Sequence, residues 1–463
     1  MQNRDLGVSH YHRNRATQGV HAGIYMFNPF GKNLSSVEGL DLGILRSTNE
    51  GWFIEYKSTL IEPVAIGKAI SAFANHDGGW LFLGITERDN HADEFTGIPH
   101  NELELAERRL RESVSRHCSP SPHYEKKFIL GPVPEIGLPQ DRCIVIVCIP
   151  RSHNTPHVHS SGRIYRRIDS SSEPKPETDR AVLDALWNRR KAARKRMERF
   201  CSWRPETAKR EAETSYLHLT LMADPFDDHD LWSTIGFDRF REIMSDTAAG
   251  GITFDNIYPC FGGAIARQVS TNNPSSQIFT YRYYSNGNAR ITIPINTFSV
   301  TEHLSSFHTH GVSAQPFVQA VRERGYTNFV AVDLSRLLMI FGAIMTRYRH
   351  LLHEDSFEIP HIYYKIGIER VWRRIPFLDS SIFVNHIFKS GVPMIEVDNM
   401  TLPEDGLFQL DGEIPKHPEG INPDMVDIFI CVMDAFGIPR TLFSNSTPSM
   451  IEELVSYVVG SLG

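Results

Sequence analysis

Glu50-Gly51-Trp52-Phe53-Ile54-Glu55-Tyr56-Lys57, then Ala72-Phe73-Ala74-Asn75-His76-Asp77-Gly78-Gly79, then Leu81-Phe82-Leu83-Gly84-Ile85-Thr86-Glu87 decide the fold of the first part of this chain. Trp52–Lys57 is rich in aromatic and branched residues and reads as a strand. Alternation along it puts Phe53, Glu55 and Lys57 on one face, with Trp52, Ile54 and Tyr56 on the other. Glu50 lies five residues before Glu55, a separation that shares a face on neither a strand nor a straight helix. The two converge only if the chain bends, and Gly51 permits the bend. Residues 61–75 follow as an amphipathic helix with Ile66, Ile70 and Phe73 on one stripe. Asn75-His76-Asp77-Gly78-Gly79 stops that helix and turns the chain. Trp80–Ile85 reads as a buried strand that delivers Glu87 at its carboxyl end. A strand–helix–strand unit with neighbouring strands places Glu87 beside Glu55.

Three carboxylates and a lysine flanking such a unit are what a metal-dependent phosphodiester-cleaving site requires. Each element also has a plainer reading. Glu55 and Lys57 could be a solvated edge pair, 72–79 only a helix end, and Glu87 with Arg88 and Asp89 an ordinary polar loop. It is the order of all three that favours a site.

That order and spacing resemble the Schlafen core, also described as the AlbA-like (divergent AAA-4) domain, over roughly residues 40–175. Relatives carry a Glu-Ser-x-x-x-Glu-Phe/Tyr-Lys run, an Ala-Phe-Ala-Asn-x-x-Gly-Gly turn and an apolar strand ending in acid. The third acid is commonly Asp in relatives and is Glu87 here, preceded by Thr86. The resemblance implies an α+β core in which Glu50, Glu55 and Glu87 hold one or two Mg²⁺ or Mn²⁺ ions. Lys57 then neutralises charge on a phosphate oxygen, and the four residues form the catalytic set. Human relatives with the same acids are transfer-RNA and ribosomal-RNA endonucleases. The implied activity is therefore a metal-dependent endoribonuclease on structured RNA, transfer RNA favoured, and by analogy with bacterial relatives an anti-phage effector. The alternative is a non-catalytic DNA- or RNA-binding transcriptional regulator, although three acids beside a phosphate path would repel it. A scaffold that merely dimerises is a third reading. No Gly-x-x-x-x-Gly-Lys-Ser/Thr loop occurs, so no ATP is expected. Gly-x-Ser-x-Gly is absent too.

At 463 residues the chain has room for about two or three domains. Hydrophobic content of 41% and charged content of 22% indicate a globular protein. A net charge of −7 confines any nucleic-acid contact to a local patch. Cysteines 118, 143, 148, 201, 260 and 431 are scattered without a Cys-x-x-Cys pair, which points to a reducing, cytoplasmic setting. No secretory leader is read at the start, and the apolar stretch Leu337–Met345 is too short to span a bilayer, so no membrane association is expected.

Residues 1–38 read as a polar arm, 39–179 as the Schlafen-like domain, 180–204 as a basic linker helix and 205–463 as an α+β sensor or substrate-selection domain. Within the Schlafen-like part, 100–117 reads as a helix with Leu103, Leu110 and Val114 on one side. Cys143–Pro150 reads as a buried strand and Gly162–Asp169 as a strand bearing Arg163, Arg166 and Arg167. Relatives also show arginine there, so these three are candidate phosphate contacts, a solvated strand face being the alternative. His153, His157 and His159 are read as turn residues rather than metal ligands. Residues 189–199 hold seven basic residues against one acid. Arg194, Lys195 and Arg196 there are candidate phosphate contacts or else a solvated helix face. Farther on, 215–222 reads as a strand, 278–284 and 289–295 as a hairpin around Asn286-Gly287, and 234–245, 332–352 and 449–461 as helices. His303, His308 and His310, and His350 with His353, are read as structural or surface histidines. A homo-oligomer is compatible with all of this.

Overall fold

Alternation along Ile54–Lys57 (β1) sends Ile54 and Tyr56 into one apolar core and Glu55 to the opposite face. Pro63–Asn75 (α1) starts on proline, whose missing N–H belongs to the unpaired first turn of any helix. Gly79–Leu83 (β2) then returns parallel to β1, with Ile54 opposite Trp80 and Lys57 opposite Leu83. The central strand Arg142–Ile149 runs antiparallel to β2 and also pairs with Glu125–Leu130 and Ile98–Pro99. One face of this mixed sheet packs Tyr56, Trp80, Phe82 and Ile146 with Leu42 and Leu45 of the turn Gly39–Ser47. The other face packs Leu81, Leu83 and Val147 against Ile66, Ile70 and Phe73 of α1 and Leu110 and Val114 of Leu103–His117 (α2). Burial on both faces is why β2 and the central strand are nearly unbroken apolar runs.

The structure, a computed structural model, describes residues 27–32, 34–167, 173–202, 214–223, 231–246, 252–269, 278–301, 312–352, 361–411, 423–444 and 450–461. Most of the expected N-terminal arm, and His303, His308, His310 and His353, lie outside them. Residues 27–38, expected as the end of that arm, instead pack on the sheet. Phe27 stacks on Phe53, Phe30 meets Trp80 edge-on, and Val37 is fully buried. Of the strand expected over 162–169, residues 168 and 169 lie outside the described residues, and within the rest only Tyr165–Arg166 is strand, paired with Lys175–Pro176.

Arg180–Ser202 (α3) leads to a second unit. Its sheet is antiparallel, in the order 256–260, 263–267, 280–284, 289–295, 215–223, 361–369 and 399–402, with 408–411 also on 361–369. The Asn286-Gly287 hairpin forms as read, with Gly287 at φ 81°. Helices Leu231–Ser245, Leu337–Leu352 and Pro423–Ala435 contribute to one large core with this sheet. The whole is α+β. Among the described residues no helix is long and apolar enough to cross a membrane. All six cysteines are free thiols.

The turn from α1 into β2 leaves no space for a side chain. A Cβ on Gly79 would stand 2.2 Å from Phe73 Cδ1 and 2.8 Å from the Phe53 carbonyl oxygen, whereas one on Gly43 would meet nothing within 4 Å. Gly79→Ala should therefore cost about 1–3 kcal/mol in urea unfolding, and Gly43→Ala less than about 0.5 kcal/mol. Equal effects would place the strain elsewhere.

Candidate functional site

The Glu50–Glu55 segment is built as a tight loop. Gly51 sits at φ 152°, a conformation open to glycine, and its N–H donates to the Ile54 carbonyl at 2.9 Å. The bend lets Glu50 Oε1 accept from the Tyr56 N–H at 3.0 Å, and the Tyr56 hydroxyl ties the strand to the carbonyls of Leu45 and Thr48. Glu50 and Glu55 are each 4% exposed.

Glu87 arrives by a device the sequence reading passed over. Glu87–Arg88 (β3) and His91–Ala92 (β4) form a hairpin whose Asp89 and Asn90 both have positive φ, 54° and 64°. The Asn90 carbonyl accepts from the Glu50 N–H, and Asn49 bridges His91. The hairpin is thus fastened to the Glu50 segment, and the Glu87 carboxylate comes to lie against that of Glu50. Glu87 Oε1 also accepts from the Asn90 N–H at 3.1 Å. Asp89-Asn90 was the available signal, since both residue types tolerate the left-handed region.

Burial above all, with a smaller contribution from the adjacent Glu87 carboxylate, pushes the Glu50 carboxyl up to about 7 against the opposing Tyr56 N–H and Lys57 charge. Glu50 Oε2 is buried without a hydrogen bond of good geometry. Glu55 is in a different state. Its Oε1 lies 3.0 Å from Lys57 Nζ and its Oε2 accepts from Arg167 Nη1 at 2.8 Å. Expected as a metal ligand, Glu55 has both oxygens on cations. Arg167, expected to meet phosphates, is 1% exposed; it also donates to the carbonyls of Gly51 and Ile54 and lies 4.7 Å over the Phe73 ring. A guanidinium so enclosed presents nothing to a phosphate in this conformation.

Among the described residues, no group of three or more His, Cys, Asp or Glu side chains is arranged to hold a metal ion. The fit for a cation is confined to Glu50 and Glu87, two hard oxygen donors whose proximity is costly while both are ionised. The other expected contacts are dispersed. Arg166 is half-buried on Glu177 at 2.9 Å, and Arg163 is exposed. Arg194, Lys195 and Arg196 are exposed on α3, Arg194 lining a cavity of about 1070 Å³ between α3 and the strands 361–369 and 399–402. His157 Nδ1 faces the Pro120 carbonyl at 2.7 Å and His159 Nε2 the Val64 carbonyl at 3.0 Å, so both serve the turn. Asn75, quoted above only as part of the helix stop, clamps this region. Its amide donates to the carbonyls of His157 and Tyr165 and accepts from the His157 N–H.

The family model described as Schlafen, AlbA_2 matches residues 50–176, so this part of the chain is a Schlafen/AlbA-like domain, a family with a nucleic-acid-related role. The match takes in the acid segments, the α1 turn and Arg167. No curated protein matches the chain. A crystal structure of the DIP2311 protein from Corynebacterium diphtheriae is similar at 18% identity, with a TM-score of 0.20, over 30% of this chain. The chain spans about a quarter of that protein, the match covering 24% of it.

The Glu50 environment makes a pH prediction with a definite sign. Its folded pKa of about 7 exceeds the ordinary value of 4.5, so the fold favours the neutral acid. Stability contributed by Glu50 then falls as pH rises from 4.5 through about 7, and the penalty is complete above that. With EDTA present, Glu50→Gln, which keeps an acceptor for the Tyr56 N–H, should melt higher than wild type at pH 8 and equally near pH 4.5. A melting difference independent of pH would contradict the assignment.

Proposed function

We propose that the Schlafen-like domain is a metal-dependent endoribonuclease acting on structured RNA, transfer RNA being the favoured substrate and anti-phage defence the setting its resemblances suggest. The observation that carries the reading is the Glu50–Glu87 carboxyl pair, set beside a half-exposed Lys57. Glu50 and Glu87 would hold Mg²⁺ or Mn²⁺, which when bound supplies Lewis-acid polarisation of a phosphate oxygen and acidifies a coordinated water. Glu50, held through Oε1 by the Tyr56 N–H, would be ionised when it holds the ion and serve as its ligand. Lys57 neutralises a non-bridging phosphate oxygen, and Glu55, held by Arg167, fixes the ammonium in place.

One observation favours the non-catalytic binding reading. Glu55 is matched by Lys57 and Arg167, so the acid cluster repels a phosphate path less than three bare carboxylates would. Chemistry separates the two. Purified protein incubated with total transfer RNA and Mn²⁺ should yield discrete fragments on a denaturing gel. Glu50→Gln should slow cleavage by about 100-fold or more while RNA affinity holds. Mn²⁺ should also raise the melting temperature of wild type and not of a Glu50→Gln, Glu55→Gln double variant. Intact RNA, with equal Mn²⁺ shifts in both proteins, would leave only binding.

The exposed face of α3 gives a separate expectation. Replacing Arg194, Lys195 and Arg196 with Ala should weaken RNA binding whatever the sequence and lower the salt slope by about two to three. An unchanged slope would make these residues a solvated face.

A further inference from the structure

We infer that Trp52 is a stacking platform for an unpaired base next to the scissile phosphate, so that the domain selects unpaired nucleotides, as in the loops of a structured RNA. The inference rests on the nucleic-acid reading above and deepens it. Trp52, in the bend before β1, is 48% exposed, whereas Trp80 of β2 is 1% exposed. Trp187 and Trp372 are exposed to a similar degree, so what marks Trp52 is its place beside the acid loop. It stands two residues from Glu50, at most about 7 Å of extended chain.

The indole is held in place. The Gly51 carbonyl just before it receives Nε of the buried Arg167 at 3.0 Å. The indole meets the His76 ring edge-on, centroids 5.4 Å apart, and His76 is itself 6% exposed. A surface fixed before binding loses little entropy when a base settles on it.

Two arginines, each engaged by the protein, lie at the end of α1 that carries His76. Arg189 Nη1 donates to the His76 carbonyl at 2.9 Å, and Arg151 Nε lies 3.3 Å from Asp77 Oδ1. An aromatic face with positive charge near it is the chemistry that captures single strands, the ring taking a base and the charge adding long-range attraction for the strand. A base inside a duplex has both faces occupied and cannot take the indole.

The test is binding in EDTA, which withholds the divalent ion, read by anisotropy of a labelled short oligoribonucleotide as single strand and as perfect duplex. Trp52→Ala should weaken single-strand binding by about 5- to 150-fold, the worth of one stacked base. Duplex binding, which rests on phosphate contacts, should not change. Trp52→Phe, with a smaller ring, should fall between wild type and Trp52→Ala, and it decides alone should Trp52→Ala fail to fold. The deoxy strand of the same sequence is run alongside. Trp52 dependence on both sugars assigns the contact to the base, and dependence on the ribo strand alone adds the 2′-hydroxyl; either supports the platform. Equal loss on single strand and duplex, no loss on either, or no single-strand binding by wild type would overturn it. Cleavage is not read, so Trp52-dependent binding by a protein that leaves transfer RNA intact would sink the nuclease reading and leave the platform standing.

Discussion

The buried guanidinium of Arg167 is the constraint on which the site depends. Removing such a charge from water costs several kcal/mol, and it is tolerated only where every donor finds an acceptor. Here the acceptors are the Glu55 carboxylate and the carbonyls of Gly51 and Ile54, with the Phe73 ring stacked at 4.7 Å. The Glu55 contact closes a sequence separation of 112 residues. It joins the last part of the domain to the loop that carries two of its acids. The bend at Gly51 is therefore a conformation the other end of the domain enforces, and Glu50 reaches the Tyr56 N–H because of it.

The same contact divides the labour among the carboxylates. Glu55 sits between two cations. Glu50 is enclosed with only a backbone N–H and the partial help of Lys57, and it faces Glu87. Chemically equivalent side chains are thus held in different electrostatic surroundings, Glu55 between cations and Glu50 enclosed beside another acid. A cation at Glu50 and Glu87 would offset the burial cost that chiefly raises the Glu50 carboxyl, and the smaller effect of Glu87 with it.

Much of this was legible in the residues. β1, α1, β2 and the central strand follow from period and composition, and the bend at Gly51 from the impossible spacing of Glu50 and Glu55. The fate of Arg167 was not legible. Arg163, Arg166 and Arg167 form one basic run, and nothing local says that the third is buried while the first is exposed. That depends on partners more than a hundred residues away, which periodicity does not report. The Glu87 hairpin was missed for a different reason. Asp89-Asn90 reads as ordinary polar loop unless a hairpin is sought across two-residue strands, which are too short to show alternation. In the second unit 215–222, 278–284 and 289–295 were readable because they alternate or flank Asn286-Gly287, whereas 256–260, 263–267, 361–369, 399–402 and 408–411 were not read, and the order across the sheet is a tertiary property.

The basic helix shows the same limit. Arg189 belongs to the run of seven cations but caps the carbonyls of Asn75 and His76 at the end of α1. Leu186 O, one turn before Arg190, accepts from the Thr155 hydroxyl. At the far end Cys201 touches Met222, and the Phe200 ring lies 3.9 Å beneath the Arg290 guanidinium. The helix is therefore fixed to both units by buried contacts. With 23 residues it is about 34 Å long. Its exposed residues Arg190, Lys191, Arg194, Lys195 and Arg196 hold a set direction relative to the α1 turn that supports Trp52 and the acid loop. A flexible linker with the same charge would give a bound polyanion no register, whereas a helix fixed at both ends presents its charges in one direction.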